Sequence, residues 1–284
     1  MICNFCGNYC GVDREKSVGK CGVKENIIIA RKGLHMYEEP CISGKEGSGT
    51  VFFCGCSLNC PFCQNYPVSR NQTGKEITPQ ELADIFKSLE DMGANNINLV
   101  SPTHFVREIA KAVEIYRPKV PIVYNSHGYD TPEALEIMNG IVDIYLPDFK
   151  YFDDELALRI SGVKNYRETA IEALRIMRSQ TKDEYDDRGM MKSGMIIRHL
   201  ILPKHYADSI NVLKCIKENF PETLVSVMSQ YTPFGNLQSF PELNRKLFSA
   251  EIERVQNVAT ELDIKGFFQD REAVGESFIP KWDY

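Results

Sequence analysis

The 284-residue sequence has no apolar run that approaches the ~18 residues needed for a membrane-spanning helix. Its opening stretch, MICNFCGNYC, lacks both the basic region and the apolar core of a signal peptide. The net charge is −6, so the chain also lacks the basic excess that marks nucleic-acid-binding proteins. These absences predict a cytoplasmic protein that binds neither a membrane nor a nucleic acid.

Cysteine, in contrast, is abundant, and ten cysteines in a cytoplasmic chain indicate metal binding or redox chemistry before disulfides. Cys56, Cys60 and Cys63 form a C-x3-C-x2-C set directly after the apolar residues 51–53. Three thiolates at this spacing suit a 4Fe-4S cluster, in which one iron then lacks a protein ligand and is open to a small molecule. The alternative is a zinc site, with Cys54 as the fourth ligand, or three reduced core thiols.

A second cysteine set opens the chain, with the spacing C-x2-C-x3-C-x10-C. Its members are Cys3, Cys6, Cys10 and Cys21. Tetrahedral sulfur ligation fits zinc, a single iron or a small auxiliary cluster, and the sequence leaves these open beside unliganded thiols. The remaining Cys41, Cys54 and Cys215 are interpreted as small buried hydrophobes.

Short apolar runs alternate about six times with longer amphipathic ones, which predicts parallel strands joined by crossover helices. The strands are expected near residues 51–53, 97–100, 121–124, 141–146, 194–202 and 223–228. A Thr-Pro helix start stands at residues 78–79 and again at residues 131–132. The length suits one α/β barrel-sized domain with a small appendage, and a doubly wound open sheet is the alternative.

Polar residues end these predicted strands, and the active site of a parallel barrel lies at the carboxyl ends of its strands. The residues concerned are Thr103, His104, Asn125, Ser126, His127, Asp148, Lys150, Arg198, His199, Gln230 and Tyr231. A single polar residue at a strand end often does no more than stabilise a turn. Five polar strand ends beside a cysteine motif favour an active site. His104, His127 and His199 are candidates for substrate contact or for acid–base chemistry.

The cysteine triplet after a strand resembles the radical S-adenosylmethionine (SAM) superfamily, whose first barrel strand is followed by three cluster ligands and an adjacent aromatic residue. Phe62 occupies that aromatic position. The segments EEPCISGKEGSGTVFFCGC, CQN, PTHF and SQYTPFG further resemble the paralogues of pyruvate formate-lyase activating enzymes that carry a cysteine-rich amino terminus. The resemblance implies a partial (β/α)6 barrel over residues 49–235, a metal-binding segment at 1–48, and a helix and tail at 236–284 that pack on the barrel.

The same resemblance implies that Asp148, Lys150 and Arg198 contact SAM. Residues 125–128, Asn-Ser-His-Gly, replace the family's Asp-Thr-Asn-Gly, so a ribose or metal contact at Asn125 or Ser126 is expected to be altered. Residues 101–103, Ser-Pro-Thr, replace its Gly-Gly-Glu. Since proline has no backbone N–H, the SAM amino group is expected on a carbonyl or on the Thr103 hydroxyl.

The predicted function is that of a radical SAM enzyme, which cleaves SAM at a 4Fe-4S cluster to a 5'-deoxyadenosyl radical. Its substrate is either a glycyl radical enzyme, which it activates, or a small molecule or peptide. A flavodoxin- or ferredoxin-like donor would supply electrons, and a non-catalytic electron carrier is the alternative of another class. Gln230 and Tyr231 are expected to face the substrate, with residues 230–235 and the aromatic tail from Phe267 to Tyr284 available to close the barrel mouth.

Overall fold

The computed structural model describes residues 2–70 and 73–269. Its strands are β1 Ile27–His35, β2 Ser48–Phe53, β3 Lys75–Ile77, β4 Ile97–Val100, β5 Ile122–Asn125, β6 Ile144–Tyr145, β7 Glu184–Tyr185, β8 Met191–Leu200, β9 Leu224–Met228 and β10 Gly266–Gln269. Its helices are α1 Pro40–Ser43, α2 Tyr66–Ser69, α3 Pro79–Asp91, α4 Val106–Ile115, α5 Pro132–Met138, α6 Asp154–Ser161, α7 Tyr166–Gln180, α8 Tyr206–Asn219 and α9 Ser249–Glu261. No helix of the described ranges is long and apolar enough to cross a membrane.

The strands form a mostly parallel sheet in the order β10-β9-β8-β6-β5-β4-β2-β1-β3. From β2 to β10 every neighbouring pair is parallel, while β1 pairs antiparallel with β2 and β3. The parallel strands follow one another in chain order without the reversal that defines a doubly wound sheet. Among the strands of residues 2–70 and 73–269, the path of pairing does not close into a ring. The prediction of an α/β fold of the partial-barrel type is therefore confirmed, and the doubly wound alternative is wrong.

The predicted helix starts follow from their capping residues. The Thr78 hydroxyl accepts the Glu81 N–H at 3.2 Å and the Glu81 carboxylate accepts the Thr78 N–H at 2.8 Å, which makes a capping box. The Thr131 hydroxyl caps α5 through the Ala134 N–H. The amphipathic α3 then buries one face, including Leu82 and Phe86, against the sheet.

The amino-terminal end of the barrel is plugged by α1. Cys41 and Ile42 pack with apolar side chains of three central strands, among them Val123 and Ile196. The Asn96 side chain, which directly precedes β4, donates to the Ile42 carbonyl at 2.8 Å and fixes the plug in place. Since this end is filled, the carboxyl ends of the strands remain for a site.

Four strands are absent from the sequence-based prediction: β1, which has nine residues and pairs with both β2 and β3, and the short strands β3, β7 and β10. None of the four belongs to the strand–helix alternation on which that prediction depends. Phe267 and Phe268, interpreted as part of an aromatic tail, lie in β10, which pairs with β9. The rest of that tail, residues 270–284, lies outside the described residues.

Candidate active site

The loop that follows β2 carries Cys56, Cys60 and Cys63. Cys60 is buried and the other two are half-buried. Burial raises the pKa of the Cys56 thiol to about 12, and the neighbouring Cys60 and Cys63 add to this. Burial likewise raises the pKa of Cys63, with Cys60 as the next contributor. The three sulfurs therefore share one desolvated environment.

Serine hydroxyls reach two of these sulfurs. Ser161, the last residue of α6, lies 2.9 Å from Cys60 Sγ through its Oγ, and Tyr151 Oη lies 2.6 Å from the same Oγ. Ser69 donates to Cys63 Sγ at 3.6 Å. These contacts tie the cysteine loop to α6 and α2.

A partly buried charge network lies at the polar strand ends, centred on Arg198 of β8. Its Nε donates to Asp148 at 3.0 Å, and its two terminal nitrogens donate to Asn125 at 2.6 Å and to Glu38 at 3.3 Å. Lys150 donates to the second Asp148 oxygen at 2.6 Å. Burial alone would raise the pKa of Asp148, but the two cations together lower it. The structure thus brings together four side chains that the sequence analysis assigned to SAM contact.

Asp130 organises the neighbouring strand ends. Its carboxylate accepts hydrogen bonds from Thr103 at 2.7 Å, from Tyr124 at 2.8 Å and from Ser126 at 2.7 Å. The hydroxyl protons of Thr103 and Ser126 are therefore committed. Each hydroxyl oxygen can still accept a hydrogen bond from a ligand, for example from an ammonium group.

The three strand-end histidines are buried. His127 Nδ1 accepts the Tyr129 N–H at 3.0 Å, so its Nε2 carries the proton and donates to Ser57 Oγ at 2.6 Å. Burial lowers the pKa of His127, of His104 to about 3 and of His199 to about 4. All three are consequently neutral near pH 7, which favours hydrogen bonding over acid catalysis.

The other two histidines each use one ring nitrogen. His104 Nε2 lies 2.7 Å from the Cys54 carbonyl, and His199 Nδ1 lies 2.7 Å from the Phe149 carbonyl. The opposite nitrogens, His104 Nδ1 and His199 Nε2, are buried without a hydrogen-bond partner.

Phe62 and Tyr231 lie side by side, with their ring centroids 5.8 Å apart. Both are buried, and the Tyr231 hydroxyl donates to the Leu243 carbonyl at 2.8 Å. The neighbouring Gln230 is partly buried. Tyr231, which follows β9, therefore packs against Phe62 of the cysteine loop, and its hydroxyl is already hydrogen-bonded.

The amino-terminal cysteines lie beside this loop. Their thiols line one small cavity with residues of the cysteine loop and of the β4 end; its lining residues are Cys3, Phe5, Cys6, Cys10, Lys20, Cys21, Ser57, Thr103 and His104. The Cys21 carbonyl accepts the Cys56 N–H at 3.1 Å. Asn8 donates to the Ser57 carbonyl at 2.8 Å. The two cysteine sets, separate in sequence, are thus neighbours in the fold.

The remaining cysteines behave as predicted. Cys41, Cys54 and Cys215 are all buried free thiols. Cys54 packs in an apolar cluster with Ala30 and Val68. Burial raises its pKa to about 12, which is typical of an inert core thiol.

Comparison with known proteins decides the family. The Radical SAM superfamily model matches residues 50–197, about half of the sequence. The matched range includes the cysteine loop and ends within β8, one residue before Arg198. This chain belongs to the radical SAM superfamily. The Methanocaldococcus jannaschii protein MJ0674, itself uncharacterised, is 34% identical over 272 residues, which cover 92% of this chain and 75% of the relative.

Solved structures of other proteins share the fold. Streptococcus suis SuiB superposes with a TM-score of 0.53 at 13% identity, over 76% of this chain and 47% of SuiB. The [FeFe]-hydrogenase maturase HydG superposes with a TM-score of 0.51 at 15% identity, over 74% of this chain and 48% of HydG. The present chain thus matches about half the length of each. At such identities the likeness concerns the fold alone.

Radical SAM proteins use a 4Fe-4S cluster and SAM, and the residues of this site fit both. One loop supplies three soft thiols, and two hydroxyls contact their sulfurs. Coordination deprotonates a thiol even where burial has raised its pKa. Among the described residues, no three His, Cys, Asp or Glu side chains are already arranged to hold a metal ion, and this includes both cysteine sets.

Sequence reasoning missed three contributors to this radical SAM site. Glu38 stands in the segment EEPC, which carried a family signal but no assigned role, and it reaches Arg198 across 160 positions. Asp130 and Ser161 carried no motif at all. Only the fold brings them to the strand ends, so no local pattern could have revealed them.

Proposed function

We propose that this radical SAM superfamily member is an enzyme that cleaves SAM reductively, with its cluster held by Cys56, Cys60 and Cys63. The observation that carries the proposal is the placement of this cysteine loop close enough to Lys150 for Cys60 and Cys63 to interact with it electrostatically. Lys150 in turn belongs to the partly buried network with Asp148 and Arg198 at the carboxyl ends of the strands. When bound, the cluster and SAM supply the difficult chemistry, a one-electron cleavage that yields methionine and a 5'-deoxyadenosyl radical. We place this chemistry in the cytoplasm, where thiols remain reduced.

The protein's own residues would bind and orient the cofactor. Lys150 and Arg198 offer charged donors to the SAM carboxylate or ribose hydroxyls. Thr103 offers a lone pair to the amino group, as its proton is already used by Asp130. The burial of these groups keeps water away from a reactive alkyl radical.

The Ser161 hydroxyl is proposed to tune the cluster. A cluster-bound sulfur can only accept, so Ser161 would donate to Cys60 while Tyr151 donates to Ser161. Hydrogen bonds to ligand sulfurs favour the more negative, reduced cluster. We therefore expect Ser161→Ala to shift the cluster's midpoint potential to a more negative value in an anaerobic redox titration followed by electron paramagnetic resonance.

The matched control for this prediction is Ser209→Ala, which removes an equally buried serine from α8. Its potential should equal that of the wild type. A Ser161→Ala potential that also equals the wild type would mean that the hydroxyl does not act on the cluster.

For the substrate, we propose a protein or peptide, with a glycyl radical enzyme as the favoured class. The support is the motif resemblance to activating enzymes, and SuiB has been solved with its precursor peptide SuiA. The electron donor would be a flavodoxin- or ferredoxin-like carrier. We also propose that Cys3, Cys6, Cys10 and Cys21 bind a metal centre, because their thiols line one cavity.

The substrate class is tested by hydrogen transfer. The reduced enzyme and SAM are incubated with size fractions of a deuterated lysate from the protein's own source. Deuterium in 5'-deoxyadenosine is expected with the protein and peptide fractions. Deuterium that appears only with the fraction below peptide size would overturn the activase proposal in favour of a small-molecule substrate.

A further inference from the structure

We infer that the amino-terminal cavity lined by Cys3, Cys6, Cys10 and Cys21 binds an iron–sulfur cluster, distinct from the one that binds SAM. This inference rests on the proposed metal centre and names its chemical class and its place. The two clusters would lie next to each other, joined through the contact between Cys21 and Cys56.

The thiols converge because the segment folds tightly around them. At Gly19 a Cβ atom would stand 3.1 Å from Cys21 Sγ and 3.7 Å from Cys10 Sγ, so the backbone passes directly against two of the four sulfurs. The Cys3 N–H donates to the Val12 carbonyl at 2.9 Å and closes the segment on itself. Four thiols that the chain gathers in this way are an arrangement for a shared ligand.

An unpartnered nitrogen independently points to a ligand in the same cavity. His104 lines the cavity, is 4% exposed and has no hydrogen-bond partner on Nδ1. Because Nε2 faces the Cys54 carbonyl, Nδ1 is the acceptor nitrogen of the ring. Burying such a nitrogen without a partner is unfavourable. A metal centre, to which a neutral imidazole nitrogen can bind, would satisfy it.

The surrounding charge suits a ligand set of thiolates, which is negative. Lys20 lines the cavity, and no carboxylate does so among the described residues. Arg14 is buried close by, where it donates to the carbonyls of His104 and Lys24. Both cations favour the deprotonated, metal-bound form of the cysteines.

A cluster fits better than a zinc ion because the cavity offers more donors than a tetrahedral zinc site uses. Four cysteines line it together with His104, whose Nδ1 has no partner. Ser57 also lines the amino-terminal cavity and directly follows Cys56, so the second centre would adjoin the first.

The test uses the full chain, reconstituted anaerobically with iron and sulfide, and three variants. With Cys56, Cys60 and Cys63 all replaced by alanine, we expect iron and acid-labile sulfide to remain in about equal amounts. With Cys3→Ser and Cys6→Ser instead, about half of the wild-type iron should be lost while the SAM-responsive resonance signal stays. Cys215→Ser, a buried cysteine in α8, should retain both centres.

Adjacency gives a further readout. In the fully reduced wild type, the resonance lines should be broadened by the magnetic interaction of the two clusters. The triple-alanine variant and the Cys3→Ser, Cys6→Ser variant should each show narrower lines, whereas Cys215→Ser should keep the broadened ones. Zinc without sulfide in the triple-alanine variant, or no metal there, would overturn the inference. So would an unchanged iron content in the Cys3→Ser, Cys6→Ser variant. Failure of the proposed function would be seen in a different measurement: the electron paramagnetic resonance signal of the wild type would not change when SAM is added.

Discussion

Replacement of Cys56, Cys60 and Cys63 by alanine is expected to reduce 5'-deoxyadenosine formation from SAM to the background level. These thiols are proposed to be the protein's ligands to the cluster. Without the cluster there is no open iron for SAM to bind. The measurement is the 5'-deoxyadenosine yield of the anaerobically reduced protein with SAM, determined by chromatography and mass spectrometry. Iron content is determined on the same sample.

The control for this prediction is Cys54→Ala, because Cys54 stands two positions before the set and packs in a separate apolar cluster. That variant should retain both iron and product. Product formation by the triple-alanine variant would contradict the assignment. Loss of metal in Cys54→Ala without unfolding would favour the alternative in which Cys54 is the fourth ligand of a zinc site.

Replacement of Arg198 by methionine is expected to have the second-largest effect. The guanidinium contacts Asp148, Asn125 and Glu38, and its loss leaves Glu38 without this cation and Asp148 with Lys150 alone. Breaking a largely buried ion pair costs up to about 3–5 kcal/mol of unfolding free energy. For SAM binding, a lost charged hydrogen bond of about 1.5–3 kcal/mol lowers the affinity roughly ten- to a hundredfold.

Anaerobic denaturant titration and SAM-binding isotherms measure the two effects. The matched control is Arg188→Met, since Arg188 is 58% exposed and pairs with Asp186 at 3.2 Å on the surface. That control should lose less than about 1 kcal/mol and keep its SAM affinity. Equal behaviour of the two variants would mean that Arg198 is an ordinary structural arginine.

The sequence predicts the barrel because short apolar runs alternate regularly with amphipathic ones. Capping residues such as Thr78 and Thr131 also mark where helices begin. The sequence also predicted the cysteine loop, whose ligands are close together in the chain. The partners of Arg198 and Cys60 were beyond it. Glu38 lies 160 positions from Arg198 in the sequence, and Ser161 lies 101 positions from Cys60. Contacts of this kind depend on how the strands and helices pack in three dimensions and not on a local sequence pattern.

Histidine illustrates a second limit of sequence reasoning. His104, His127 and His199 were named as candidates for acid–base chemistry because they follow strands. Their burial lowers each pKa, and each ring donates to a carbonyl or hydroxyl inside the fold. The degree of burial that sets a histidine's charge is a property of tertiary packing.

The central claim is that the Cys56, Cys60 and Cys63 cluster has an open iron that binds SAM. The most direct test is the electron paramagnetic resonance spectrum of the reconstituted, reduced wild-type protein before and after SAM is added. A 4Fe-4S signal that shifts on addition of SAM is the predicted result, because SAM would coordinate the open iron. A reduced-cluster signal that is identical with and without saturating SAM would contradict the claim and favour a non-catalytic electron carrier.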